Sequence, residues 1–159
     1  MLPLFKSHYS VGKSILTIAP PDQVREGGPA SVFDIAVRND LQKVILVEDS
    51  LIGFLESKKV ADSLGIQLIF GLRIDACEDM KKKVAKNVPD CTSKIVIMAK
   101  NSKGCALLNK IYSLAFTEGH GRIDFNRLKD FYNPDDLVIA IPFYDSFLFH
   151  KPLVASRTP

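Results

Sequence analysis

The chain has 159 residues, 47% of them apolar and 25% charged, with 21 Lys and Arg against 18 Asp and Glu. Such proportions are those of an ordinary globular protein, and they exclude a disordered tail, a collagen-like rod and a disulfide scaffold. A formal net charge of +3 does not predict nucleic-acid binding, although it leaves room for a local basic patch.

The length argues for one domain with a substantial core. Cys77, Cys91 and Cys105 form no CxxC pair, and an odd count favours reduced thiols in a cytoplasmic setting. The apolar run before Lys6 is too brief for a signal peptide. Runs such as Leu137 to Tyr144 fall far short of the ~20 residues that cross a bilayer. A cytoplasmic protein without membrane contact is expected.

Leu2 to Phe5 predicts a short first strand, followed by a polar run to Ser10 and a loop broken by Pro20-Pro21 and Gly27-Gly28-Pro29. Ser31 reads as an N-cap, with Asp34 as a weaker capping-box partner, and the helix stops near Asn39. Lys43 to Val47 is a continuous β-branched run, the pattern of a strand buried on both faces. Asp49-Ser50 is expected to cap the next helix, which Gly65 ends. Ile66 to Ile74 predicts a strand interrupted by Gly71. The basic segment Lys81-Lys82-Lys83 with Lys86 reads as a solvated loop or short helix. A strand at Lys94 to Met98 follows, then a long helix capped by Asn101 or Ser102 and ending at Gly119. Ile123 to Tyr132 predicts a short helix and Leu137 to Ile141 the last strand. Apolar strands alternating with amphipathic helices imply an α/β fold with parallel strands and helices packed outside.

In such folds functional groups gather where strands end and helices begin. Those places hold His8, Tyr9, Glu48, Asp49, Arg73, Asp75, Lys100, Tyr144 and Asp145, a mixed polar rim that equally suits helix capping and loop solvation. Gly12-Lys13-Ser14 invites a phosphate-loop reading, but the motif needs a glycine where Ser7 stands and a helix where Ile15 to Ile18 is β-like. His8, His120 and His150 are isolated, with no HxH or HxxxH spacing, so no metal site is expected from local spacing. Cys77 and Cys105 read as small core residues rather than nucleophiles.

Several segments together resemble the PHP (polymerase and histidinol phosphatase) domain of bacterial-type DNA polymerase III alpha subunits. Phe5-Lys-Ser-His-Tyr-Ser10 is similar to the family's first motif, an HxHxxYS pattern. Val44 to Gly53 falls where the family has a strand ending in a TDHGN-like run, and Gly65 to Arg73 is similar to its GIKPIIGxE strand. Ile97 to Gly104 with Leu108 to Gly119 is close to its LLAKNxxGYxNL…SxAYxEG helix. Order and spacing agree from about residue 4 to residue 147, with residues 148–159 left as a tail. Lys6 to Ser14 together with Pro142 to Phe147 look more like the divergent, phage-type versions than the bacterial ones, which would place the protein in a host cytoplasm.

The resemblance implies a parallel-strand (β/α) distorted barrel, here incomplete and lacking the C-terminal strands. It also implies metal ions at strand ends that activate water against a phosphoester. At the positions that hold the family's ligands this chain has Leu4, Lys6, Val47, Glu48, Arg73, Lys94 and Phe143. Only Glu48 keeps a ligating side chain, and three of the others are cations. An ion-pair network of Lys6, Glu48 and Arg73 is expected in place of metal, and no cofactor.

The expected function is therefore a degenerate, metal-free domain with a structural or assembly role in a replication polymerase. Its partner would be a polymerase subunit or a second copy, since open sheet edges need covering. The alternative is a phosphoesterase or proofreading exonuclease using Mn, Zn or Mg at a relocated site around His8, Glu48, Asp49, Asp145 and His150. A third reading is a DNA- or phosphate-binding cleft formed by Lys6, His8, Tyr9, Glu48, Arg73 and Lys94, with Lys13 and Lys100 adding charge.

Overall fold

The computed structural model describes residues 3–82, 92–143 and 146. They form two compact units, Met1–Leu72 and Arg73–Pro159.

The first unit opens with β1 (Leu4–Phe5), crosses a single 3-10 turn at Pro21–Gln23, and enters α1 (Val32–Arg38). Then come β2 (Lys43–Glu48), α2 (Phe54–Ser63) and the start of β3 (Gln67–Cys77). β1 and β2 are parallel, with Leu4 opposite Ile45, and β2 and β3 are parallel from Lys43 opposite Gln67 to Glu48 opposite Leu72. The core beneath them comprises Ile18, Val32, Phe33, Ala36, Val44, Leu46, Ala61, Ile66 and Phe70. Phe54 brings α2 onto β3 through a ring contact with Phe70 at 4.7 Å. Burial of this kind contributes about 1.5–3 kcal/mol for each large side chain and dominates the unit's stability.

Local signals set the helix ends. Ser31 caps α1, its side chain accepting from Phe33 N at 3.1 Å. Asp34 does not complete a capping box; it accepts from Arg38 Nε at 3.0 Å, one turn on. The expected cap of α2 at Asp49-Ser50 is also corrected. Gly53 is the cap residue, with no side-chain bond, because Asp49 is held by lysines of the preceding loop. Gly65 takes φ 67°, the left-handed conformation that ends α2.

The second unit holds the end of β3, then β4 (Ser93–Ala99), α3 (Ser102–Thr117), β5 (Arg122–Asp124), α4 (Phe125–Phe131) and β6 (Leu137–Ala140). β3 runs through Gly71 without interruption, and its last residues pair in parallel with β5, Asp75 opposite Arg122. The single helix expected over Ile123 to Tyr132 is thus a short strand and a helix, with Asp124 closing one and capping the other through Arg127 N at 2.7 Å. Asn101 caps α3, accepting from Gly104 N at 2.9 Å. Ile74, Ile95, Ile97, Leu108, Ile111, Ala115, Ile123, Leu128 and Leu137 fill the core of this unit.

The expected α/β alternation holds, but the all-parallel expectation fails at β6, which is antiparallel to β4. Asp136 gives the reason. Its carbonyl accepts from Lys100 N at 2.9 Å and its carboxylate from Asn101 Nδ2 and Asn133 Nδ2, each at 2.8 Å. The start of β6 is thereby fixed beside the end of β4, Leu137 opposite Ala99, and the strand can only run back. Among the described residues no strand pairing closes a barrel. No helix among them is long and apolar enough to cross a membrane. Residue 83 onward in the basic segment, and Cys91, lie outside the described residues.

Candidate functional site at the end of β2

β2 ends on Glu48, and the loop of residues 6–14 folds over that end. Two successive turns build the loop, Ser10 N donating to Ser7 O and Lys13 N to Ser10 O, both at 3.0 Å. Ser14 Oγ closes it by donating to Lys6 O at 2.7 Å. Gly12, at φ 74°, makes the second reversal possible.

Glu48 is completely buried, so its carboxylate needs donors from the protein. Ser7 N donates to Oε1 at 2.7 Å, and Ser10 Oγ donates to Oε2. The direction of that hydroxyl is fixed by its other bonds. Ser10 Oγ also accepts from Lys6 Nζ at 3.3 Å and from Asp49 N at 3.2 Å. With both lone pairs engaged, its one proton points at Glu48.

Asp49 stands just beyond the strand, with Lys6 Nζ 3.1 Å from Oδ1 and Lys13 Nζ 3.0 Å from Oδ2. Burial alone would push its pKa up, but the two ammoniums outweigh this and hold the carboxyl below its ordinary range. Lys6 thus pairs with Asp49 and not, as expected, with Glu48, whose partners are a peptide N–H and a hydroxyl.

Tyr9 leaves this network and lies against α2, donating from its hydroxyl to Glu56 Oε2 at 2.8 Å. That bond to a carboxylate, with some burial, raises the phenol's pKa. His8 is exposed beside Tyr9, ring centroids 4.4 Å apart, with Nδ1 3.3 Å from Leu16 O. The loop therefore brings Lys6, His8, Tyr9, Glu48 and Asp49 into one neighbourhood, but turns His8 to solvent and Glu48 inward.

Arg73 and Lys94 belong to the second unit. Arg73 is half-buried on β3, and Lys94 Nζ on β4 donates to Asp75 Oδ2. Lys100 is exposed and donates to Pro134 O at 2.7 Å. Cys77 is buried and Cys105 half-buried, in line with core roles, and His120 is an exposed turn residue at φ 53°. Tyr144, Asp145 and His150 lie outside the described residues.

Ser7 and Ser10 are the functional residues that pattern reading missed. Ser10 is visible in the sequence as the last residue of the HxHxxYS-like segment and Ser7 only as part of a polar run, and nothing local says that a carboxylate some 40 residues away needs their donors. Gly12-Lys13-Ser14 is a turn with no helix after it, and Lys13 is committed to Asp49, so no phosphate loop is formed.

The metal ions that the resemblance implies do not fit these residues. Both oxygens of Glu48 are taken by donors, Leu4 offers only an exposed apolar side chain, and Lys6 brings positive charge. Among the described residues no three His, Cys, Asp or Glu side chains gather as a metal ion would require.

No family model and no curated protein matches the sequence. Among solved structures the chain is similar to a candidate metal-dependent phosphoesterase from Bifidobacterium adolescentis, with a TM-score of 0.37 and 14% identity. The match covers 72% of this chain and 35% of that one, so this chain spans about a third of that protein's length.

Proposed function

We propose that residues 1–147 are a degenerate, metal-free PHP-like domain, part of a distorted (β/α) barrel, with a structural or assembly role in a DNA replication polymerase. The observation that carries this reading is the state of Glu48. It is the one ligand-type residue kept at the family's metal positions, and it is buried with both oxygens satisfied by Ser7 and Ser10. A carboxylate so engaged holds a loop in place, each of its oxygens already bonded to a donor of that loop. The cations at Lys6, Arg73 and Lys94 support the same reading, since they disfavour divalent ions at those positions. The partner is a polymerase subunit or a second copy of the chain.

The test is metal titration of the purified protein by calorimetry, with a phosphoesterase assay in Mn. The expected result is no tight binding and no turnover. Tight Mn binding lost in Glu48→Gln, together with hydrolysis of a phosphodiester, would overturn the reading and establish the phosphoesterase alternative.

A further inference from the structure

β6 is the last strand on its side of the sheet, and among the described residues it pairs with β4 alone. The ladder between them fixes which backbone groups are left over. Lys100 N donates to Asp136 O, so by the register Val138 opposite Met98 and Ala140 opposite Val96 are the residues bonded to β4. The peptides are trans, which turns the groups between them the other way. Leu137 O, Ile139 N–H, Ile139 O and Ile141 N–H therefore point outward along one edge, and no described residue bonds to them. Leu137 N–H is already taken by Asn133 O at 2.8 Å. Such edges are normally blunted by charge, a bulge or a proline. From Leu137 to Tyr144 the sequence has no charged residue, and Pro142 lies past the open groups and removes none of them. Apolar side chains follow the same edge, Val138 39% exposed, Ile139 half-buried and Ile141 43% exposed.

We propose that this edge docks a second copy of the chain, β6 against β6 in antiparallel pairing about a two-fold axis at Ile139. The open groups are self-complementary under that axis. Ile139 N–H of each copy meets Ile139 O of the other, and Ile141 N–H meets Leu137 O, so every open donor finds an open acceptor. Side chains match as well. Leu137, Ile139 and Ile141 share the core side of the strand, and the axis sets Ile141 of each copy opposite the buried Leu137 of the other. On the outer side Val138 opposes Ala140, and no like charges meet. A charged peptide would find nothing on this edge to pair with, whereas an identical strand matches it throughout. The contact is short, so the dimer is weak and concentration-dependent, and an isologous pair closes on itself at two copies. The inference rests on the second-copy partner of the reading above and gives that partner a surface.

The test is sedimentation equilibrium of the full chain with amide hydrogen exchange, over concentrations from about 1 μM to about 1 mM. The mass should rise from one copy to two and no further. In step with it the Ile139 and Ile141 amides should gain protection about tenfold or more, while those of Val138 and Ala140, bonded to β4, stay constant. Ile141→Lys, at a side chain half open to solvent, should fold and raise the dissociation constant about tenfold or more, because it sets a charge against Leu137 in each copy. A single copy at every concentration, growth past two copies, or a dimer that leaves Ile139 unprotected overturns the proposal. So does protection of Ile139 that ignores concentration, as a segment of the same chain would give, or an Ile141→Lys variant that dimerises like wild type. Where the variant fails to fold, the alternating exchange pattern of the wild type decides alone. A monomer leaves the metal-free reading standing with a polymerase subunit as its partner. Tight Mn binding with turnover overturns that reading and leaves the edge pairing untouched, so the two are told apart.

Discussion

Tyr9 packs directly on Gly53: a Cβ added to the glycine would stand 2.5 Å from Tyr9 Cδ2 and 2.8 Å from Cε2. The backbone of Gly53 is in the ordinary helical region, so the position excludes larger residues by space alone. Gly53→Ala should therefore displace the ring and break the Tyr9–Glu56 hydrogen bond, costing roughly 1–3 kcal/mol. Urea denaturation measures the loss, and in a Tyr9→Ala background the same substitution should cost much less.

Glu48→Gln is expected to destabilise by roughly 2 kcal/mol although the shape is unchanged. The new amide N–H₂ would face Ser10 Oγ, which already accepts from Lys6 and Asp49 N and has no lone pair left. Turning the amide over instead sets N–H₂ against Ser7 N. Either orientation leaves a buried donor unpaired, and equilibrium unfolding of the variant reads the cost. Stability equal to wild type would contradict the hydrogen-bond directions given above.

Acid should loosen the same loop through Asp49. Burial opposes its ionisation, but Lys13 and Lys6 more than compensate, so its pKa is lower in the folded chain than in the unfolded one. A group depressed on folding contributes stability above its unfolded value, near ~4 for an aspartate, and that contribution fades as pH falls through the lower folded value. Asp49→Asn should flatten this part of the acid limb in melting experiments below about pH 4. Near neutral pH the variant should be less stable than wild type.

Gly104 in α3 is a stricter case. A Cβ there would lie 2.1 Å from the carbonyl oxygen of Asp136 and 3.3 Å from Cα of Ala99, both backbone atoms that cannot turn aside. Gly104→Ala should cost roughly 3 kcal/mol despite improving helix propensity. Thermal unfolding, with the shift of the β6 amides as a local readout, checks it.

Residues close in sequence wrote most of what could be read from it. Ser31 and Asn101 announce their helices because a cap acts on N–H groups two or three residues away. The apolar runs of β2 and β4 announce strands for the same local reason. The antiparallel direction of β6 was not legible, because it depends on Asp136 meeting Lys100 and Asn101, some 35 residues earlier. The strand Arg122–Asp124 was hidden similarly, since its pairing partner is Asp75 to Cys77. At the site, Glu48, Asp49, Lys6 and Tyr9 stood out as residue types, yet the pairing of Lys6 with Asp49 and the partners Ser7, Ser10 and Glu56 did not. Choosing Asp49 over its neighbour Glu48 for Lys6 depends on which carboxylate the strand turns inward, and adjacent positions at a strand end face opposite ways.

Glu48 also bears on the order of events in folding. Its bonds to Ser7 and Ser10 close separations of 41 and 38 residues, and a polar contact cannot offset so long a loop closure by itself. β1, β2 and α1 must first assemble around Phe33 and Leu46 before the loop has anything to fasten to. The carboxylate is thus a late latch, and Ser10→Ala should speed unfolding while hardly slowing folding. The carboxylate at the end of β2 thus acts as a clock mark, set only when the rest of the unit is complete.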